Sequence, residues 1–384
     1  MKILHTSDWH LGHVLHDHSR TEEQTCMLKQ MASIVGQEQP DALVLSGDIF
    51  HTGQPSSAVQ KMYAEALVAI HRACPTMVIV CTAGNHDSAS MHEIFRSPWL
   101  SMNVHSIGLL NKARPESHIV RLAGKGYIIA LPYCYERNMP DDFVQGLLDS
   151  VAAENTSHLP VVMMAHTTLE NADLTGHATG GNAPVGGIDT VSIGQMGHGY
   201  DYLALGHIHH AQWVKGSDHR ARYSGAPLPV SFDETYEHSV SIVTLHKHGD
   251  APQLRVIPIN NPHPLVNLPT QGYVGWEEGK RLLQQFPQDI PARLRLNIVD
   301  DGHVPSDALN EAKTLVQDKA CVLCLINKQS PEGTYSNEAS MSVEEFKEVS
   351  PLAIARKYAH GKGLVFDNDM EELLNQVINS INQE

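Results

Sequence analysis

Lys2-Ile3-Leu4-His5-Thr6-Ser7-Asp8-Trp9-His10 is the stretch on which the reading of this chain turns. Lys2–Thr6 has the pattern of a buried strand. It runs into two metal-ligand side chains, Asp8 and His10, which stand two apart on the strand end and so face the same way. Four other runs end alike: Ala42–Ser46 leads to Gly47-Asp48, and Met77–Cys81 to Gly84-Asn85-His86-Asp87. Val161–Met164 leads to Ala165-His166, and Tyr202–Leu205 to Gly206-His207-Ile208-His209, where two histidines again share one side. Ligands of an open α/β sheet bind outside the carboxyl ends of its strands, so the five ends are expected to converge on one site. Any one of these motifs is common by chance. Core or capping roles do not explain all five in this order, each after a strand.

The donors are nitrogen and oxygen, without the thiolates of a structural zinc site, and they suit Mn²⁺, Fe²⁺ or Zn²⁺. Asp48 has two carboxylate oxygens and can bridge two cations; Asn85 offers an amide oxygen, and His166 completes the set. Two metals roughly 3.5–4 Å apart serve in-line attack at phosphorus by lowering the pKa of water and neutralising the phosphoryl oxygens. His86 is placed to hydrogen-bond the phosphate or protonate the leaving oxygen. Asp87 is expected to hold the His86 imidazole, as carboxylates do for active-site histidines.

Composition narrows the class. The 384 residues suggest two or three domains, with 42% hydrophobic and 18% charged residues as in a soluble globular chain. No apolar run reaches the roughly 18 residues of a membrane span, and the chain opens directly in a strand, so no membrane association, no signal peptide and a cytoplasmic location are expected. Of six cysteines four are scattered and two, Cys321 and Cys324, have C-x-x-C spacing; none requires a disulfide. Cys321 and Cys324 lie in the apolar stretch Ala320–Ile326, where strand geometry sends them to opposite faces. A net charge of −16 argues against nucleic-acid binding by bulk charge; bound cations supply positive charge locally. Histidines outside the motifs, such as His13, His16, His18, His246 and His248, read as surface or loop residues.

Strands and helices alternate over residues 1–260, with helices expected at Thr21–Gln37, Ser57–Ala73 and Asp141–Ala153, which indicates a layered α/β fold. Further strands are expected at Tyr127–Pro132, Arg220–Ser224, Ser239–His246 and Leu254–Ile259. Thr167–Gly199 is a long loop between two metal motifs, expected to edge the site. Asn260-Asn261-Pro262-His263-Pro264 marks a boundary. Residues 261–330 then form a small β-α-β-like unit: strands Leu265–Leu268, Arg293–Val299 and Cys321–Ile326, helices Trp276–Phe286 and Asp307–Gln317. Residues 331–384 hold a polar linker and a final helix whose apolar stripe, Met370, Leu373, Leu374, Val377, Ile378 and Ile381, lies on one face. That stripe either packs on the protein's own core or docks a partner helix.

These residues resemble the signature of the calcineurin-like metallophosphoesterases. The opening Leu4–Gly12, Ser46-Gly47-Asp48-Ile49-Phe50, Gly84–Asp87 and Ala204–His209 are similar to the SbcD family, the nuclease subunits of bacterial SbcCD complexes. So is the string Arg222–Glu234, which is no metal motif. The resemblance is strong over residues 1–260 and rests mainly on layout beyond them. It implies a layered metallophosphoesterase fold, helices flanking two mixed β-sheets, with a small α+β capping domain and C-terminal helices. It implies two Mn²⁺ ions, one on Asp8, His10, Asp48 and His209, the other on Asp48, Asn85, His166 and His207, with His86 as the catalytic histidine. His51, just after the second motif, either contacts DNA or shapes the loop.

For function, the resemblance implies a 3′-to-5′ double-strand exonuclease and an endonuclease acting at hairpins or blocked ends in DNA repair, recombination and replication. The capping domain would contact DNA. Val343–Tyr358 and Asp369–Ile381 would dock the coiled-coil base of an SbcC-like ATPase, in a homodimer within a heterotetramer. A stand-alone small-molecule phosphodiesterase or phosphatase of the same fold is the alternative, and a non-catalytic scaffold is disfavoured by the complete ligand set. A free-standing phosphatase has no need of the C-terminal amphipathic helix.

Overall fold

The computed structural model describes residues 1–176 and 190–330, together with Met370. The first sheet is begun by four strands: β1 (Lys2–Thr6), β2 (Ala42–Ser46), β3 (Val78–Thr82) and β4 (Val104–Ile107). They pair in parallel and in sequence order. Such strands are covered on both faces, which is why they read as apolar runs without alternation. Six later strands build a second sheet: β5 (Ile119–Leu122), β6 (Gly126–Ala130), β7 (Val161–His166), β8 (Tyr202–Gly206), β9 (Gln212–Trp213) and β10 (Ala221–Tyr223). The chain then returns to the first sheet through β11 (Ser239–Thr244), antiparallel to β1, and β12 (Gln253–Pro258). The two mixed sheets run β12-β11-β1-β2-β3-β4 and β9-β10-β8-β7-β6-β5.

Ile3, Val44, Val80, Ile128, Val162, Met164, Tyr202 and Val243 fill the space between the sheets. Outside the first sheet lie α1 (Thr21–Glu38) and α2 (Ser57–Ala73), burying stripes that include Met27, Met31 and Val35, and Leu67 and Ile70. Ser56 caps α2 by accepting a hydrogen bond from the Val59 N–H. α3 (Ala89–Leu100) packs beside β4, and α4 (Phe143–Glu154) covers the second sheet with Val144, Leu147, Leu148 and Val151. The expected layered α/β fold, helices flanking two mixed sheets, is therefore what the chain adopts.

Beyond residue 260, β13 (Leu265–Leu268), β14 (Arg293–Val299) and β15 (Val322–Gln329) form a parallel sheet with its own core against α5 (Trp276–Gln285) and α6 (Ala308–Val316). Cys321 packs in that core, whereas Cys324 turns to a separate cluster with Leu15 and Phe232; both thiols are free. Polar ties join this unit to the sandwich: Glu23 pairs with Arg293, Asp233 with Arg295, and the Phe232 carbonyl accepts from Asn267.

Several elements differ from the sequence expectation. α3, β4 and β5 were not anticipated: Pro98 breaks the helical pattern of α3, and the two strands have four residues each. His166 is the last residue of β7 rather than a residue beyond it. The flanks of the Thr167–Gly199 loop zip together, Thr168 and Leu169 pairing in parallel with Thr190 and Val191; residues 177–189 lie outside the described set. The C-terminal segments Val343–Tyr358 and Asp369–Ile381 also lie outside it, Met370 excepted.

Candidate metal centre

β1, β2, β3, β7 and β8 bring the candidate ligands together: His166 closes β7, and the turns after the other strands carry the rest. Register sets the geometry: Gly206 on β8 lies opposite His166 on β7, so His207 emerges beside His166. The turns bend sharply. Asp8, His10, Asp48 and His207 hold φ of 54°, 43°, 51° and 97°, in the left-handed region that costs side-chain-bearing residues on the order of 1 kcal/mol. Asp8 donates its N–H to the Gly47 carbonyl and His10 to that of Asp48, locking the first turn onto the second. Glycines provide the clearance. A Cβ on Gly47 would stand 2.2 Å from His166 Nδ1, and one on Gly84 2.1 Å from Asp48 Oδ1.

All seven predicted ligand residues come together. Asp8, His10 and His209 form one cluster, and Asp48, His166 and His207 a second. Asn85 Oδ1 stands 3.0 Å from both His166 Nε2 and His207 Nδ1, adding an amide oxygen to the second cluster. Asp48 lies between the two: its Oδ2 is 3.7 Å from His10 Nε2 and 3.4 Å from His166 Nε2.

The electrostatics are those of a buried multivalent site. Burial raises the Asp8 carboxyl. Burial also opposes ionisation of Asp48, yet the His166 and His10 imidazoles outweigh it and hold that carboxylate down. His10 is pushed well down, chiefly by burial. Burial pulls on His166 too, but the Asp48 carboxylate prevails and carries it up to about 9. His209 reaches about 9 against the same burial, raised by Glu234. His10 Nε2 and His209 Nε2 face each other at 3.1 Å. Opposed ring nitrogens beside two buried carboxylates are the donor set a divalent cation fits, its charge replacing the imidazole protons.

His86 stands at the rim. Its Nδ1 is 2.9 Å from the His51 carbonyl. A carbonyl can only accept, so Nδ1 carries a proton and Nε2 is the atom left to meet a substrate. The His51 ring stacks on that of His86 at 5.5 Å. Asp87 does not hold His86 as expected. Its carboxylate accepts from the backbone N–H groups of Ile49, Phe50 and Gly84, so it braces the two turns instead. His13, expected at the surface or in a loop, is a buried loop residue that packs edge-on to His51; burial drives it down to about 3.

Sequence reasoning also missed Glu234. This residue is 6% exposed, and its Oε1 accepts from His209 Nδ1 at 3.0 Å. That bond fixes the tautomer and turns the His209 Nε2 lone pair toward the centre. Glu234 lies in the Arg222–Glu234 string, which had no assigned chemistry. His166 is oriented differently, donating from Nδ1 to the Ser46 carbonyl at 2.8 Å.

Residues 1–211 match the model of the calcineurin-like phosphoesterases. The SbcD protein of the nuclease SbcCD from Rhodobacter capsulatus is 33% identical over 299 residues, covering 71% of this chain and 72% of that one. Its namesake in Bacillus subtilis is 32% identical and covers 69% and 71%. The one in Escherichia coli K12 is 26% identical over 373 residues, covering 91% and 90%.

Proposed function

The chain belongs to the calcineurin-like phosphoesterases and, within them, to the SbcD family; from that premise we propose that it is the nuclease subunit of an SbcCD-type complex. It is a metal-dependent phosphodiester hydrolase whose substrate is DNA. The observation that supports this reading is the Asp48 carboxylate, set between two donor clusters, each able to hold a divalent cation. Asp8, His10, Asp48 and His209 would hold one cation, Asp48, Asn85, His166 and His207 the other, Mn²⁺ in both. When bound, such a pair acidifies water and neutralises charge on the phosphate.

The chain's own groups complete the reaction. Water adds to phosphorus as the bond to the leaving oxygen breaks, and His86, tethered through Nδ1, takes up at Nε2 the proton the water releases and passes it to that oxygen. Asp87 keeps the Gly84–Asp87 turn against the Ile49-Phe50 backbone, so His86 stays aimed at the cleft. Activities at 3′ ends of duplexes, at hairpins and at blocked ends follow from the SbcD reading, as do roles in repair, recombination and replication.

Residues 261–330 act as a capping domain that contacts DNA, and residues 331–384 dock an SbcC-like ATPase through its coiled coil. Two copies of the chain pair within a heterotetramer; α3 offers exposed Ile94, Phe95 and Leu100 for such a contact. Among the described residues no helix is long and apolar enough to cross a membrane, and we place the protein in the cytoplasm.

The test is cleavage of a labelled hairpin-ended duplex with Mn²⁺, with and without the ATPase partner and ATP. Metal-dependent cutting stimulated by the partner supports the reading. Turnover of a small phosphodiester with no DNA cut in either condition moves the assignment to a small-molecule phosphodiesterase.

A further inference from the structure

The loop after β6 carries an aromatic pair to the rim of the metal centre. It is pinned on both sides. The Leu131 N–H donates to the Met164 carbonyl of β7, two residues before His166. The Tyr133 N–H donates to the Ala83 carbonyl, two residues before Asn85. Tyr133 is thereby clamped between the His166 and Asn85-His86 turns, and its ring meets that of His166 edge-on at 6.3 Å. Tyr135 packs edge-on against Tyr133 at 5.4 Å. It is 51% exposed, and the exposed Arg137 sets its guanidinium 5.1 Å above the ring.

A lone exposed tyrosine needs no explanation. Here two rings stand in series on a braced loop, the inner one against a ligand histidine, with a cation at the outer one. Proteins that hold single-stranded nucleic acid combine aromatic faces for bases with positive charge for the backbone, and Arg adds to the stacking. The chain's net charge of −16 makes a local cation beside a phosphate site the more telling.

Resting on the nuclease reading above, we propose that Tyr135 and Arg137 form a subsite for one unpaired nucleobase flanking the scissile phosphate. A base inside a duplex has both faces covered by its neighbours, so only an unstacked one can lie on Tyr135. Tyr133 is the positioning residue. It sets the distance between the stacked base and a phosphate held beside His166 and Asn85. The subsite reads a π-face rather than a base edge, so it is indifferent to sequence and selective for unpaired over paired ends.

The experiment compares wild type, Tyr135→Ala and Tyr135→Phe, all full-length and loaded with Mn²⁺. The substrates are a single-stranded oligonucleotide and the same oligonucleotide with abasic residues flanking the cut. Stacking on an aromatic side chain corresponds to about a 5- to 150-fold change in affinity per base. Tyr135→Ala should raise KM for the intact strand by a factor in that range, with kcat much less affected, and Tyr135→Phe should restore it. On the abasic strand, wild type and Tyr135→Ala should converge. A 2-aminopurine at the flanking position should be quenched by wild type and not by Tyr135→Ala. Equal cleavage of the intact strand by wild type and Tyr135→Ala overturns the subsite, as does an equal loss on intact and abasic strands, which marks a structural role. Failure of the wild type to cut any DNA is a different result: it removes the nuclease reading itself.

Discussion

The two halves of the metal centre are held by different means. His166 is oriented by a backbone carbonyl of the neighbouring strand end, Ser46, in a place cleared by Gly47, and its surroundings are the two sheets themselves. His209 is oriented by a side chain, Glu234, on a loop 25 residues downstream. The neighbours of Glu234 belong partly to another unit: Asp233 pairs with Arg295, Phe232 accepts from Asn267, and Arg295 stacks over the Phe232 ring at 5.5 Å. One half is therefore as rigid as the sandwich. The other depends on a loop tied to the small sheet. The difference teaches that a symmetric-looking pair of donor clusters need not respond alike to a change elsewhere in the chain.

Gly84→Ala should have the largest effect, because it strikes what the halves share. The new Cβ would meet Asp48 Oδ1 at 2.1 Å and Asp48 N at 2.3 Å. Overpacking of this kind costs typically 1–3 kcal/mol. Both metal affinities should collapse, with cleavage falling to background. Calorimetric metal titration and a melting curve of the metal-free protein check this, and retention of either metal would show that the halves are less joined through Asp48 than drawn here.

His86→Ala should separate chemistry from metal holding. Cleavage should fall on the order of 10²–10⁴-fold, with metal content unchanged in both halves. Loss of a metal in this variant would make His86 a ligand.

Glu234→Ala should divide the halves. Loss of a carboxylate that orients a metal-bound histidine typically costs 10- to 100-fold in metal affinity. One of the two binding steps should weaken by that factor while the other holds, and Glu234→Gln should recover much of the loss by keeping an acceptor. Equal weakening of both steps would erase the contrast.

Arg295→Ala should be the mildest. Its pair with Asp233 is partly buried, the side chains 14% and 24% exposed, and is worth about 1 kcal/mol or less. A small drop in melting temperature and at most a few-fold weakening of the step that Glu234→Ala affects are expected. If the step set by Asn85 and His166 moved instead, the link between the small sheet and the His209 half would be refuted.

The ligands were legible in the sequence because each follows an apolar run that must be a buried strand, although the ends meet across two sheets, β1 to β3 in one and β7 and β8 in the other. The layered fold followed from the same runs and the helical stripes between them. Glu234 was not legible: nothing local ties a loop acid to a histidine 25 residues earlier, and only the return of the chain toward β11 brings it back. Asp87 was misjudged for a similar reason. Adjacent residues on a tight turn point apart, so the carboxylate beside His86 met backbone N–H groups rather than its neighbour's ring. The helix α3 was obscured by Pro98, and the sheet order β12-β11-β1 needed the chain's late strands to come back beside its first.

That return has a consequence in time. Ribosomes add roughly 5–20 residues per second, and about 225 residues separate Asp8 from Glu234, so a nascent chain spends roughly 10–45 s with its first donors made and its last still unsynthesised. Throughout that interval β1 lacks its partner β11, and the His209 half lacks the acid that aims it. A fragment that stops short of His209 lacks a ligand and cannot complete the centre.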